Sequence, residues 1–203
     1  MTTGSAGLPP AAQERWLRLY YFARAGFSAV WVLLALTAGQ QSPGLAMALL
    51  ILYPAWDAAA NLVDGARNGG LRRNPTQTIN AGVSAVTTLA VVIALQNGMN
   101  QVLAVFGAWA ILSGLLQLGT AIRRWKTFGA QWAMVLSGAQ SAVAGVLFIS
   151  RAGLPAIPSI TSVTGYATLG AVYFLISATW LTVADLRRRA AASSRPPASR
   201  PPA

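Results

Sequence analysis

Basic residues in this chain recur in every second gap between apolar segments, and that alternation limits what it can fold into more than any motif does. Six apolar stretches lie near residues 19–38, 44–63, 78–96, 101–122, 129–149 and 160–184. Arg15 and Arg18 precede the first. Arg67, Arg72 and Arg73 follow the second, and Arg123, Arg124 and Lys126 follow the fourth. Arg187, Arg188, Arg189, Arg195 and Arg200 follow the sixth. The remaining gaps hold Arg151 alone. Cytoplasmic loops of membrane proteins carry the excess of Lys and Arg. The pattern therefore predicts an all-α protein of six transmembrane helices, arranged as three antiparallel hairpins with both ends in the cytoplasm. The compartment it predicts is the bacterial cytoplasmic (inner) membrane.

Composition supports lipid as the solvent. Of 203 residues, 55% are hydrophobic and 9% charged, whereas soluble domains carry about 25% charged residues. Mean hydropathy is +0.51. A helix crossing the bilayer core needs about 20 mainly apolar residues, so six spans use most of the chain. The expected divisions are a disordered N-terminus over 1–15, the membrane domain over 16–189 and a disordered basic tail over 190–203. The net charge of +11 sits in short loops flanking apolar spans. Anionic lipid headgroups are its expected partners there, and no basic face interleaved with aromatics points to nucleic acid. Cysteine and histidine are both absent, which removes thiol chemistry, His-ligated metal and His proton transfer. With four acidic residues in all, the sequence predicts no enzyme, no metal site and no cofactor.

The expected helices are Trp16–Ala38, Gly44–Val63, Thr78–Gln96, Gln101–Ile122, Gly129–Ser150 and Ile160–Ala184. Ala25–Ala38 also has the length of a signal-peptide core, with Leu36–Thr37–Ala38 as a cleavage site. Its removal would leave five spans and reverse the charge alternation. Pro54 falls inside the second helix, where a kink is expected. Shifting Phe106–Arg124 by 63 residues onto Leu169–Arg187 matches six of 19 positions, among them Gly107/Gly170 and Arg124/Arg187. The match reads either as the trace of a two-helix repeat or as the chance agreement that an Ala- and Leu-rich sequence offers cheaply.

Two charges lie inside spans. Unpaired charge in a bilayer is costly, so such residues pair, face the bundle interior or line a wet cavity. Arg24 is eight residues in from Trp16, and Asp57 is six residues back from Val63. Both therefore lie about 9–12 Å above the inner boundary. The pair reads as a structural salt bridge, as an ion-linked site, or as an arginine snorkelling to the interface with Asp57 at a watery helix end. Tyr20, Arg24, Ser28 and Trp31 share one helix face, and Tyr53, Asp57, Asn61 and Asp64 another. The third helix adds Asn80, Ser84 and Thr87, and the fourth adds Ser113, Gln117 and Thr120. The candidate polar site is thus Arg24, Asp57, Asn61, Tyr53, Asn80 and Gln117, with interhelical hydrogen bonding as its plainer explanation.

Small residues step by four at Ser137, Ser141 and Gly145, with Gly138, Ala142, Ala110 and Gly114 adding to the series. They predict close helix contact within one chain or between copies of a homo-oligomer. Trp16, Tyr20, Tyr21, Trp125, Phe128 and Trp132 fit an aromatic belt at the inner boundary.

The stretch AVFGAWAILSGLLQLGTAIRRW and the following GAQWAMVLSGAQSAVAGVLFIS resemble the HdeD-like family of short-repeat bacterial inner-membrane proteins. The likeness lies in Gly107–Trp109, Ser113–Gly114, Arg123–Arg124, Trp132 and Ser137–Gly138, with Gly165–Trp180 a weaker echo. It covers roughly residues 100–184. The resemblance implies a non-enzymatic membrane protein with a role in envelope or acid stress, and it carries over no catalytic residues. The alternative expectation is a small transporter or channel using the Arg24/Asp57 site.

Topology is directly testable. Reporters fused after Arg73, Lys126 and Arg189 should be cytoplasmic, and fusions near Gln41, Gly98 and Gly153 periplasmic. A periplasmic signal at Lys126 would overturn the six-span reading.

Overall fold

The computed structural model of the chain describes residues 10–124 and 131–193. Among the described residues there is no strand. The helices are α1 (Pro10–Leu36), α2 (Ala38–Gln41), α3 (Pro43–Arg67), α4 (Pro75–Leu95), α5 (Met99–Arg124), α6 (Gln131–Ala152) and α7 (Thr164–Ser193). Short 3-10 turns occupy Leu71–Arg73 and Ile160–Val163. All but α2 are long and apolar enough to cross a membrane. The fold is that of a multi-pass membrane protein.

Local chemistry sets the helix ends. Ser42 caps α3, its hydroxyl accepting from Leu45 N at 3.4 Å, and Pro43 takes the first helical position, where its missing N–H is no loss. Pro75 does the same for α4. Between them Gly69 and Gly70 turn with φ of 97° and 94°, a region that residues with a Cβ rarely adopt. The Asn74 side chain wires this turn together, donating to the carbonyls of Asn68 (2.8 Å), Gly70 (2.9 Å) and Gly65 (3.2 Å).

Two helices outrun their apolar stretches. α1 begins at Pro10 rather than Trp16, and α7 runs to Ser193 rather than Ala184. Ion pairs between the two prolong them: Arg18 with Asp185 at 3.0 Å, Arg188 with Glu14, and within α7 Arg189 with Asp185 at 3.0 Å. Hydropathy marks where lipid lies, not where a hydrogen-bonded helix stops. The terminal stretches 1–9 and 194–203, together with Trp125 and Phe128 of the expected aromatic belt, lie outside the described residues.

Helix packing departs from three hairpins closed at the turns after α1, α4 and α6. The tightest pairing is α5 with α6, followed by α1 with α7 and α3 with α4. α4 with α5 is looser, and α1 with α3 and α6 with α7 touch lightly. Two of the close pairs are therefore joined across the arginine-rich turns, and α1 with α7 closes the ring.

Glycine explains the α5–α6 pair. A Cβ built on Gly107 would lie 2.7 Å from Gly145 O, and one on Gly145 would lie 2.5 Å from Gly107 O. Gly114 and Gly138 repeat the arrangement at 2.5 and 2.9 Å. Each helix carries its glycines seven residues apart, two turns, so both contacts fall on one seam. Between them Ser141 Oγ donates to Ala110 O at 2.9 Å. The small-residue series is thus spent on contact within the chain.

The aromatic and aliphatic core, including Trp31, Leu50, Tyr53, Val91, Leu103, Phe106, Trp109 and Phe148, fills the part of the bundle away from the arginine-rich turns. Outward-facing residues such as Val86, Leu89, Val143, Val146 and Trp180 are exposed. A row of apolar side chains facing out suits a hydrocarbon solvent.

Gly145→Ala should destabilise the bundle by roughly 1–3 kcal/mol or more, because backbone faces the added methyl. Gly82→Ala, where a Cβ meets nothing within 4 Å, should be neutral or mildly stabilising. Unfolding in detergent measures both, and equal effects would sink the glycine-seam account.

Candidate functional site

Asp57 sits ten residues from the end of α3 at Arg67, on the face that meets α1 and α4. Each of its carboxylate oxygens is engaged. Arg24 of α1 donates from Nη2 to Oδ1 and forms the salt bridge expected from their matched depth. Oδ2 accepts from Ser84 Oγ of α4 at 2.7 Å and from Asn61 Nδ2 at 3.0 Å. Asn61 follows Asp57 by one helical turn, so its amide also reaches the Asp57 carbonyl at 2.8 Å. Ser84 in turn accepts from the Trp109 indole of α5 at 3.0 Å. A chain of polar bonds thus runs from α1 through α3 and α4 to α5.

The guanidinium has its own enclosure. Arg24 Nη1 donates to Tyr20 OH at 2.8 Å. The Phe174 ring of α7 lies beneath it at 4.3 Å and the Tyr20 ring at 5.6 Å. Such cation–π contact favours a desolvated cation. Arg24 Nε has no partner among the described residues. The two charged side chains retain 13% and 16% of their exposure, so the pair is largely withdrawn from its surroundings. Burial of this kind makes removal of one partner far more costly than removal of both.

Tyr53, one turn from Asp57 on α3, packs instead of bonding to the carboxylate. Its ring lies 4.8 Å from Trp31, 5.9 Å from Trp109 and 6.2 Å from Phe27. Its hydroxyl lies 3.6 Å from where a Cβ on Gly170 of α7 would be. Trp56 stacks on Phe27 at 4.5 Å. Together these rings close the site on the side of the aromatic core.

Asn80 and Gln117 do not join this group. Asn80 is half-buried on α4, one turn nearer the arginine-rich turn than Ser84, and among the described residues it makes no bond to Asp57. Gln117 lies in another seam, donating to Ser137 Oγ of α6 at 3.3 Å. Conversely, Trp109 and Phe174 belong to the site, though helix-face reasoning from Arg24 and Asp57 does not reach them. Trp109 carried a signal: an indole in the middle of a span, away from either interface, needs a partner for its N–H. Phe174 carried none beyond being aromatic.

A second polar group lies two turns further along α3. Asp64, buried at 6% exposure, accepts from Trp16 Nε1 of α1 at 3.1 Å and Asn68 Nδ2 at 2.7 Å. Gln77 Nε2 of α4 approaches its other oxygen at 3.4 Å. Arg67 stacks over the Trp16 ring at 4.3 Å. Among the described residues no group of three or more acidic side chains gathers to hold a metal ion.

No family model, curated protein or solved structure matches the chain.

Arg24→Leu and Asp57→Leu should each lower stability by about 3–5 kcal/mol, and the double change should recover part of that loss. Thermal unfolding in detergent reads the difference. Additive losses in the double variant would exclude a coupled pair.

Proposed function

We propose that the chain is a non-enzymatic, multi-pass protein of the bacterial cytoplasmic membrane, of HdeD-like type. Both termini lie in the cytoplasm, and the protein acts in envelope or acid stress through packing, lipid or partner contacts. The observation that carries the non-enzymatic part is the engagement of the acidic groups. Asp57 is held by Arg24, Ser84 and Asn61. Asp64 is held by Trp16 and Asn68, and Asp185 and Glu14 bind arginines between α1 and α7. General acid–base catalysis requires a group free to meet substrate, and these four side chains are occupied in joining helices. The stress role rests on the resemblance across residues 100–184. The cytoplasmic assignment of the termini rests on the arginine-rich turns.

The same geometry weighs against transport through the Arg24/Asp57 site. Both carboxylate oxygens have protein donors, and the cation lies between Tyr20 and Phe174. A permeating ion or proton would first have to displace these bonds.

The test is genetic. Deletion of the gene in its host should lower survival after an acid challenge. The Arg24→Leu/Asp57→Leu double variant, expressed to wild-type level, should restore survival. A folded double variant that fails to do so would favour the transport reading. Unchanged survival on deletion would remove the stress role.

A further inference from the structure

On the outer face of the bundle, α4 and α5 part toward the arginine-rich turn and leave a groove of about 440 Å³. Its walls are Pro75, Thr76 and Ile79 of α4 and Leu112, Leu116 and Gly119 of α5. Pro75 and Thr76 open α4, so the mouth lies at the turn. Gly119 stands near that mouth, and Leu112 lies seven residues deeper along α5, about 10 Å into the hydrocarbon. Ile79, Leu112 and, further along α4, Val86 are exposed, so the groove opens sideways to lipid.

Two basic residues precede the mouth along the chain. Arg72 and Arg73 end the turn just before Pro75, and both are exposed. Neither forms an ion pair among the described residues, a property they share with Arg15, Arg67, Arg151 and Arg187. Two cations at the polar end of an apolar slot match one kind of molecule: an acyl chain with an anionic head. Basic residues at a membrane surface attract anionic lipid with roughly 1 kcal/mol each.

We propose that the α4–α5 groove is a binding site for an anionic phospholipid, with one acyl chain along Ile79, Leu112 and Leu116 and the phosphate on Arg72 and Arg73. The proposal rests on the fold as a membrane protein and is independent of the stress role. A failed survival assay leaves it standing, and its own failure leaves the survival assay unaffected.

The full chain in detergent micelles is titrated with phosphatidylglycerol or phosphatidylcholine, and the thermal unfolding midpoint is followed. Phosphatidylglycerol should raise the midpoint well beyond phosphatidylcholine. Arg72→Gln/Arg73→Gln should raise the half-saturating phosphatidylglycerol concentration roughly tenfold or more. Gly119→Leu tests the tail seat. A Cβ at Gly119 meets no described atom within 4 Å, so the variant should fold, fill the groove and abolish the difference between the two lipids. Both variants should keep the wild-type midpoint in phosphatidylcholine. Three results would overturn the site: an equal response of the wild type to both lipids, a phosphatidylglycerol response that survives Gly119→Leu, or an equal stabilisation by glycerol phosphate without a tail. A dimer that Gly119→Leu dissociates, with no lipid dependence, would assign the groove to a second copy of the chain instead.

Discussion

A carboxylate inside a bilayer has no water to turn to, and the way Asp57 is satisfied determines much of the helix arrangement. It draws Arg24 from α1, Ser84 from α4 and Asn61 from its own helix. Through Ser84 it draws Trp109 from α5. Interhelical hydrogen bonds in membranes average only about 0.6 kcal/mol, so neutral polar contacts alone would hold these helices weakly. Leaving a buried charge without its partner costs about 3–5 kcal/mol. The ion pair therefore sets the relation of α1 to α3 even though their contact is otherwise slight. Ser84 and Asn61 follow because a carboxylate has more lone pairs than one guanidinium fills.

The other side of the bundle is held by different physics. Between α5 and α6 the glycine carbonyls approach so closely that no Cβ fits at four positions, Gly107, Gly114, Gly138 and Gly145. Lipid tails are as apolar as leucine, so helix association in a membrane draws on van der Waals packing of this kind rather than on the hydrophobic effect. α7 is fastened by a third means. Ion pairs join it to α1 at one end, and Tyr166 bonds to Ser141 of α6 at 3.0 Å further along. Charge, backbone packing and aromatic hydroxyls each dominate one seam.

The six spans were legible because hydropathy reports solvent directly, and the Arg24–Asp57 pair was legible because depth can be counted along a helix. Asn61 followed from its one-turn spacing. Gln117 misled because α5 has two neighbours. Eight residues separate it from Trp109, which turns it about 80° around the helix, and that rotation takes it from the α4 seam to the α6 seam. Asn80 shares a face with Ser84 but stands one turn, about 6 Å, along the axis. The pairing of helices was not legible at all from turn length. A short turn makes two helices neighbours, yet it does not make them the closest pair. The 63-residue sequence match is similarly uninformative about contacts: Gly107 meets Gly145 backbone, whereas Gly170, its match, lies beside the Tyr53 hydroxyl. The α1–α7 closure did leave a trace. Glu14 and Asp185, the two carboxylates outside α3, each stand opposite an arginine of the other helix.

The groove between α4 and α5 is a consequence of these unequal seams. Near the Asn97–Gly98 turn the two helices share a core of Val91, Ala94, Val102 and Leu103, and Trp109 still reaches Ser84. Beyond that point α5 is committed to α6, since Gly114 and Gly138 leave no room for separation. α4 is committed to α3, because Asn74 and Gln77 tie its start to Gly65 and Asp64. Two helices bound to different partners must part, and the gap opens where α4 begins. That start is fixed by Pro75, and the chain reaches it through Arg72 and Arg73. The strongest packing contact in the bundle thus produces an apolar slot beside the start of α4, where Arg72 and Arg73 stand without an acidic partner among the described residues.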